Sequence, residues 1–359
     1  MKNIKITGII LAASIVLAGC SKTEVTEETP NIETAYSEES SWIQITGPET
    51  EAEPVIEPIA SYEFNPHLYS TTIGDVIPDD YYESFYNLVD ALRAGKNTFE
   101  CSSQEAYNWA TDDATLNNLF PAACMKITGI SSDGTVPFEN GTGRIYYKMP
   151  VEEFVAREAK YEEDIEEVLN TWLEYDDDDF EKCVKLYNYM ESTYLYGEVD
   201  AASTGDGADY KAFDIQQGVC DHLASIYAYL LMQAGVEALN IGIFEPDMCH
   251  AWTYVVINGQ GYHVDPTWSL KSSLRTDDLY LTYFMMSDDL RISTGCLLND
   301  ITAPLLPGFW ENKYDKKFFR ATDKSYEFPG LSVFKELDED NKILYYYDFD
   351  GNLNEMSYA

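Results

Sequence analysis

The chain has 359 residues, 45% of them hydrophobic and 14% aromatic, with 63 acidic against 23 basic side chains and a formal net charge of −40. Such a composition supports a globular body with a sizeable core, and the charge argues against nucleic acid and anionic membrane surfaces as direct partners. About 300 residues of folded body are more than one core usually serves, so size alone predicts two lobes.

The first twenty residues, MKNIKITGIILAASIVLAGC, carry Lys2 and Lys5, an apolar run from Ile9 to Leu17, and the ending Leu17-Ala18-Gly19-Cys20. The run is too short to span a bilayer. Its ending resembles a bacterial lipobox, which predicts a signal peptide over 1–20, cleavage before Cys20 and lipidation of that cysteine. The expected location is extracytoplasmic, anchored to the bacterial cell membrane through Cys20 without spanning it. Residues 21–60 (TEVTEETP, YSEESS, PETEAEPVIEP) have few large apolar side chains and predict a disordered, self-repelling acidic tether.

Residues 61–150 are expected to form a small α/β lobe. Tyr82, Phe85, Leu88, Val89 and Leu92 make a helical stripe that Gly95 ends, and two strand-like runs follow, around CMKITGI and GRIYYKM. Residues 151–173 and 179–194 read as two amphipathic helices, split by the acidic run Asp176 to Asp179, expected to be a solvated loop and helix start. A third helix follows the stretch GVCDHLASIYAYLLMQAG, residues 218 to 235: Leu223, Ile226, Tyr227, Leu230, Leu231 and Ala234 share one face, and Gly235 stops it. Beyond residue 300, ILYYYDFDGNLNEMSY predicts a hairpin closed near Asp350-Gly351, within a β appendage over 301–359. Its DFDG is not a calcium loop, because setting Gly351 at the sixth position puts Tyr346 at the first.

Cys220 falls in the first turn of the 218–235 helix, where unpaired backbone N–H groups and the helix dipole favour a thiolate. A reactive thiolate also needs a base and a group that orients it. Both are offered in CHAWTYVVINGQGYHVDPTW. Asn258-Gly259 is a strong two-residue hairpin signal. The turn it predicts pairs Ile257 with Gln260 and His250 with Thr267, leaving Asp265 diagonal to His250 on one face. Ala251, Val255, Ile257, Tyr262 and Val264 then share the other face and pack into the core.

The order of GVC before an apolar helix, HAW on a strand and VDPTW after a hairpin resembles the transglutaminase-like superfamily, a branch of the papain-like cysteine-nucleophile folds. The later YFMMSDDL is also similar to bacterial members. The resemblance covers roughly residues 180 to 290 and implies an α+β fold. Its transglutaminase-like, papain-like core, a catalytic helix packed on an antiparallel sheet, is assigned to residues 151–300, between the N-terminal α/β lobe and the C-terminal β appendage. It also implies a catalytic Cys220, His250 and Asp265. One departure is Asp221-His222 directly after GVC, where an acidic neighbour opposes the thiolate.

On this scheme Cys220 attacks an amide carbonyl, His250 protonates the leaving amine, and Asp265 holds the imidazole. The oxyanion would be held by the Cys220 backbone N–H and one upstream donor, Tyr210 rather than Gln216 or Gln217. Trp252 shares the His250 face and is a candidate cleft residue, and Trp268 reads as wall or core. Cys249 should point away from His250 into packing. His222 is expected on the solvent side and His263 beside Asp265, while His67 has no evident partner. Cys183 sits at packing spacing, and a Cys101–Cys124 bridge is conceivable but unsupported by the pattern. No CxxC pair or paired Cys/His spacing suggests a metal, and no cofactor is expected. The expected activity is hydrolysis of peptide or protein amides, including cell-wall or surface-associated ones, through a thioester. The alternatives are transglutaminase-type amine transfer and an inactive binding or adhesion module.

Overall fold

The computed structural model describes residues 60–201, 203–245, 248–270, 278–296, 298, 301–307, 316–328 and 330–359. The predicted signal peptide and nearly all of the predicted tether, with Cys20, lie outside these residues. The chain order begins with α1 (Asp79–Arg93), β1 (Thr98–Glu100), α2 (Gln104–Ala110), α3 (Asp113–Leu119), β2 (Ile127–Thr128), β3 (Phe138–Glu139), β4 (Thr142–Arg144) and β5 (Tyr146–Tyr147). Gly95 takes φ +63° just past α1, as a helix stop requires. The two strand-like runs pair as β2 with β5, antiparallel.

Next come α4 (Val151–Trp172), α5 (Asp179–Thr193), β6 (Leu195–Tyr196), α6 (Ala208–Ile215), β7 (Gln217–Gly218) and α7 (Cys220–Gln233). Asp178 caps α5 by accepting from the Glu181 N–H at 3.0 Å, and Glu181 returns the bond to the Asp178 N–H at 2.8 Å. The acidic run before α5 is therefore not simply solvated. Asp177 is buried and pairs with Lys185 at 2.5 Å, because a carboxylate taken from water must find a cation.

The central sheet has the order β10-β9-β8 and is antiparallel, with β8 Glu237–Glu245, β9 Met248–Ile257 and β10 Gln260–Val264. Asn258 and Gly259 take φ +52° and +74°, and Ile257 pairs with Gln260 as the turn predicts. One expected pair is absent. The ladder ends at Val264 opposite Thr253, so Thr267 does not pair with His250. Asp265 instead caps the short α8 (Pro266–Ser269), accepting from the Thr267 and Trp268 N–H groups at 3.1 and 3.2 Å, with Pro266 at the first helical position.

Helix α7 packs against this sheet, with the Thr253 hydroxyl donating to the Ala224 carbonyl at 2.9 Å. Its Leu223, Tyr227, Leu230 and Leu231 are fully buried, each worth about 1.5–3 kcal/mol on the scale of apolar side-chain burial. The second face of the sheet is buried too, as Trp252, Tyr254 and His263 show, beneath the chain around α9 (Asp288–Ser293) and the short 3-10 turn Lys316–Phe319. The C-terminal part forms an antiparallel meander of β11 (Val333–Asp338), β12 (Ile343–Tyr347) and β13 (Leu353–Ser357). The predicted hairpin is its second half.

The hydrophobic core runs without a break from Phe64 to Tyr358 through all three regions, and residues 58–359 form one compact unit. Among the described residues no helix is long and apolar enough to cross a membrane. Their cysteines are all free, including the buried Cys101 and Cys124.

Candidate active site

Three separated stretches meet at the N-terminal end of α7. Cys220 opens the helix after the tight Gln217–Gly218 approach, which is held parallel to Leu195–Tyr196. Gly218 is needed there, since an added Cβ would stand 2.8 Å from the His222 Cβ. As the first helical residue, Cys220 keeps a backbone N–H with no acceptor inside the helix.

His250 comes from β9, where it pairs with Ile243. Its Nε2 lies 2.6 Å from Asp265 Oδ2, and the Cys220 side chain is near enough to help raise its pKa. With Nε2 committed to the carboxylate, Nδ1 is the nitrogen left for the sulfur. The ring is 12% exposed and stacks on Trp268, 4.8 Å between centroids and 11° between planes. Burial alone would lower the His250 pKa, but the Asp265 carboxylate and the nearby Cys220 side chain outweigh it and push it up to about 9.

Asp265 is fully buried and spends both oxygens. Oδ1 caps α8; Oδ2 takes His250 and, at 2.8 Å, the guanidinium of Arg291. Burial would raise this carboxyl, yet Arg291 and His250 together hold it below the usual carboxylate range. Arg291 is itself fully buried, its guanidinium 4.6 Å from the Trp252 ring and 4.5 Å from the Trp268 ring. It was not singled out from the sequence. The only signal was a lone arginine in an acidic segment, and nothing local ties that segment to Asp265.

A second polar chain supports the first. The Trp252 indole N–H donates to His263 Nδ1 at 3.0 Å, and His263 Nε2 meets Asp288 Oδ1 at 3.1 Å. That pattern defines a neutral imidazole with its proton on Nε2, consistent with burial lowering the His263 pKa. His263 thus sits behind the site and braces Trp252.

Several sequence expectations need correction here. Trp252 is fully buried under Arg291 and cannot line a cleft, although its ring lies 6.1 Å from that of His250; the half-buried Trp268 stacks closer, at 4.8 Å. Tyr210 is not brought to Cys220. Its ring faces two cations, with Lys126 Nζ 3.3 Å and the Arg157 guanidinium carbon 5.7 Å from the centroid. Gln217 lies close in the chain, but its amide donates to the Glu198 carbonyl at 2.8 Å. Gln216 is the left-handed cap of α6. Cys249 is exposed rather than packed, at the open end of the β8–β9 ladder. His222 is half-buried, and its Nδ1 accepts from the Val219 N–H at 3.3 Å. His67 has a partner after all, Asp90 at 2.8 Å, and stacks on Tyr86. Tyr196, which the sequence did not single out, lies within electrostatic reach of Cys220; burial first and then the sulfur push its phenol up. Among the described residues no His, Cys, Asp and Glu side chains gather as a set of three that could hold a metal.

A helix packed on an antiparallel sheet thus carries Cys220 at its start, with His250 and Asp265 coming from the sheet side. Residues 167–266 match the Transglutaminase-like superfamily, and the chain carries a domain of that superfamily. Among solved structures it is similar to a candidate cysteine protease from Cytophaga hutchinsonii, at 18% identity and a TM-score of 0.20. That match covers 24% of this chain and 30% of the other, so the chain spans under a third of that relative. No curated protein matches the chain.

Proposed function

We propose that the chain is a surface-anchored cysteine enzyme that hydrolyses amide bonds of peptides or proteins through a thioester on Cys220. The observation that carries this reading is the single imidazole held by Asp265 at 2.6 Å and set beside Cys220 at the start of α7. Cys220 attacks the amide carbonyl, and the His250 imidazolium, present at neutral pH because its pKa is about 9, protonates the leaving amine. The attacking species is the Cys220 thiolate, Asp265 holds the imidazolium in place until that transfer, and water, deprotonated by the neutral His250 that results, releases the acyl group as the acid and restores the thiolate and the imidazolium. The Cys220 backbone N–H supplies one donor for the oxyanion.

Cys249 is a built-in control for the experiment. It is exposed, whereas Cys220 is half-buried, so accessibility alone favours alkylation of Cys249. The proposal expects the reverse. Iodoacetamide labelling at neutral pH, mapped by mass spectrometry, should modify Cys220 at least tenfold faster than Cys249, and His250→Ala should abolish that advantage. Faster labelling of Cys249 in the parent chain would refute a catalytic Cys220.

A further inference from the structure

Beside the N-terminal end of α7 lies a cavity of about 880 Å³, walled by α2 and α3, the chain leading into α6 and the segment around Leu305. Its volume is in the range of small-molecule sites. Asp221, the chain neighbour of Cys220, is part of its wall, as is Asn240 of β8.

The charge of the wall is one-sided. Glu105, Asp112, Asp113 and Asp221 line it, and no Lys, Arg or His side chain does among the described residues. Asp206 is a fifth carboxylate, but it is already paired with Arg157 at 2.9 Å and Lys126 at 3.4 Å. The acidity alone would describe a solvated surface. Asn240 adds an independent observation. It is only 3% exposed, and its amide N–H₂ donates to Asp221 Oδ1 at 2.9 Å. A carboxylate can only accept, so this bond fixes the amide orientation and leaves Asn240 Oδ1 as a buried acceptor without a hydrogen-bond partner. What Asn240 Oδ1 lacks is a donor.

Two further features narrow the class. The described residues hold no metal-ligating set, so the carboxylates are not arranged to converge on a single ion. Tyr81 and Trp109, 6.0 Å apart, and Leu305 also face the cavity, a lining suited to an apolar stem and to a cation over an aromatic face. We propose that this cavity is a specificity site for a cationic head on an apolar stem, of the lysine side-chain type, carried by the peptide whose amide Cys220 attacks. Its catalytic use rests on the function proposed above. The binding site itself does not.

The test therefore separates the two. The full chain carrying Cys220→Ser, which removes turnover, is titrated by calorimetry with Nα-acetyl-lysine methylamide and with the same compound acetylated at Nε. Saturable one-to-one binding of the charged form, at least tenfold tighter than the neutral one, is expected. Asp221→Asn should weaken it about tenfold. Glu105→Gln, on the exposed side of α2, should weaken it several-fold with an unchanged melting temperature, which separates lost binding from lost folding. Equal binding of the two compounds, or none at millimolar concentration, would overturn the site. Covalent incorporation of the lysine compound into a glutamine peptide by the parent chain would overturn its assignment to the attacked peptide and make it an acceptor site.

Discussion

His250 keeps its proton to about pH 9 in the folded protein, against roughly 6.5 in an unfolded chain. The ion pair with Asp265 therefore contributes its full stabilisation below about pH 6.5 and loses it as the pH rises through about 9. Asp265 behaves in the opposite sense: its carboxyl is held below the usual range, so its contribution is present above about pH 4 and fades as the pH falls through the folded value. Because the imidazolium is the acid that protonates the leaving amine, amide turnover should fall on the alkaline side near pH 9; a falling limb near 6.5 in the pH–rate profile would contradict that role. Arg291 makes the same pair dependent on a distant segment. Arg291→Met removes the buried cation and leaves Asp265 with less positive charge than it was built to face, at an expected cost of about 3–5 kcal/mol, to be measured by denaturant unfolding. Arg291→Lys should not restore it, since an ammonium lacks the planar fork that lies between Trp252 and Trp268.

At the scale of elements, the β9–β10 hairpin carries the geometry. Its turn sets the register that brings Asp265 next to the His250 face, and its close contact with the outer chain depends on Gly261. An added Cβ there would stand 2.6 Å from the Arg320 carbonyl oxygen and run into the Tyr254 hydroxyl, which now donates to that same carbonyl at 2.8 Å. Gly261→Ala should cost about 1–3 kcal/mol by overpacking, seen as a lower unfolding midpoint. An unchanged midpoint would mean that the 320 segment moves away freely. The α8 turn matters equally, because capping it fixes the Asp265 oxygen not used by His250.

At the scale of the molecule, the N- and C-terminal regions are fastened to the transglutaminase-like domain by specific bonds. Asn65 and Gln233 exchange two hydrogen bonds at 2.8 and 2.9 Å, and Glu237 accepts from the Thr71 and Thr72 N–H groups at 2.9 and 3.0 Å. On the other side Glu181 receives Lys342 at 2.7 Å and the Tyr358 hydroxyl at 2.8 Å. The flanking regions thus form part of the body that presents the site. The proposed lipid anchor belongs to this scale as well. When the full chain is expressed in a bacterium, Cys20→Ser should move it from the membrane fraction to the soluble one or leave an unprocessed precursor. Unchanged membrane attachment with unchanged lipid labelling would remove the anchor from the proposal.

The sequence by itself determined what is local. The helix bearing Cys220, the Asn258-Gly259 turn and the alternation along β9 each depend on residues within a few positions of one another. Three motifs in order were enough to bring Cys220, His250 and Asp265 into one hypothesis. The hairpin count carried His250 and Asp265 to the same side even though the strand ends before the pair it named, because proline at position 266 converts the ladder into a capped turn. Only the tertiary structure decided the rest. Arg291 lies 26 residues beyond Asp265, and a buried ion pair leaves no periodic trace in the chain. Tyr210 and Trp252 were close to the site by count, yet a cation and a buried arginine claimed them, and competition of that kind depends on packing. The carboxylates of the acidic cavity come from stretches far apart in the chain, so its charge became visible only when the fold gathered them.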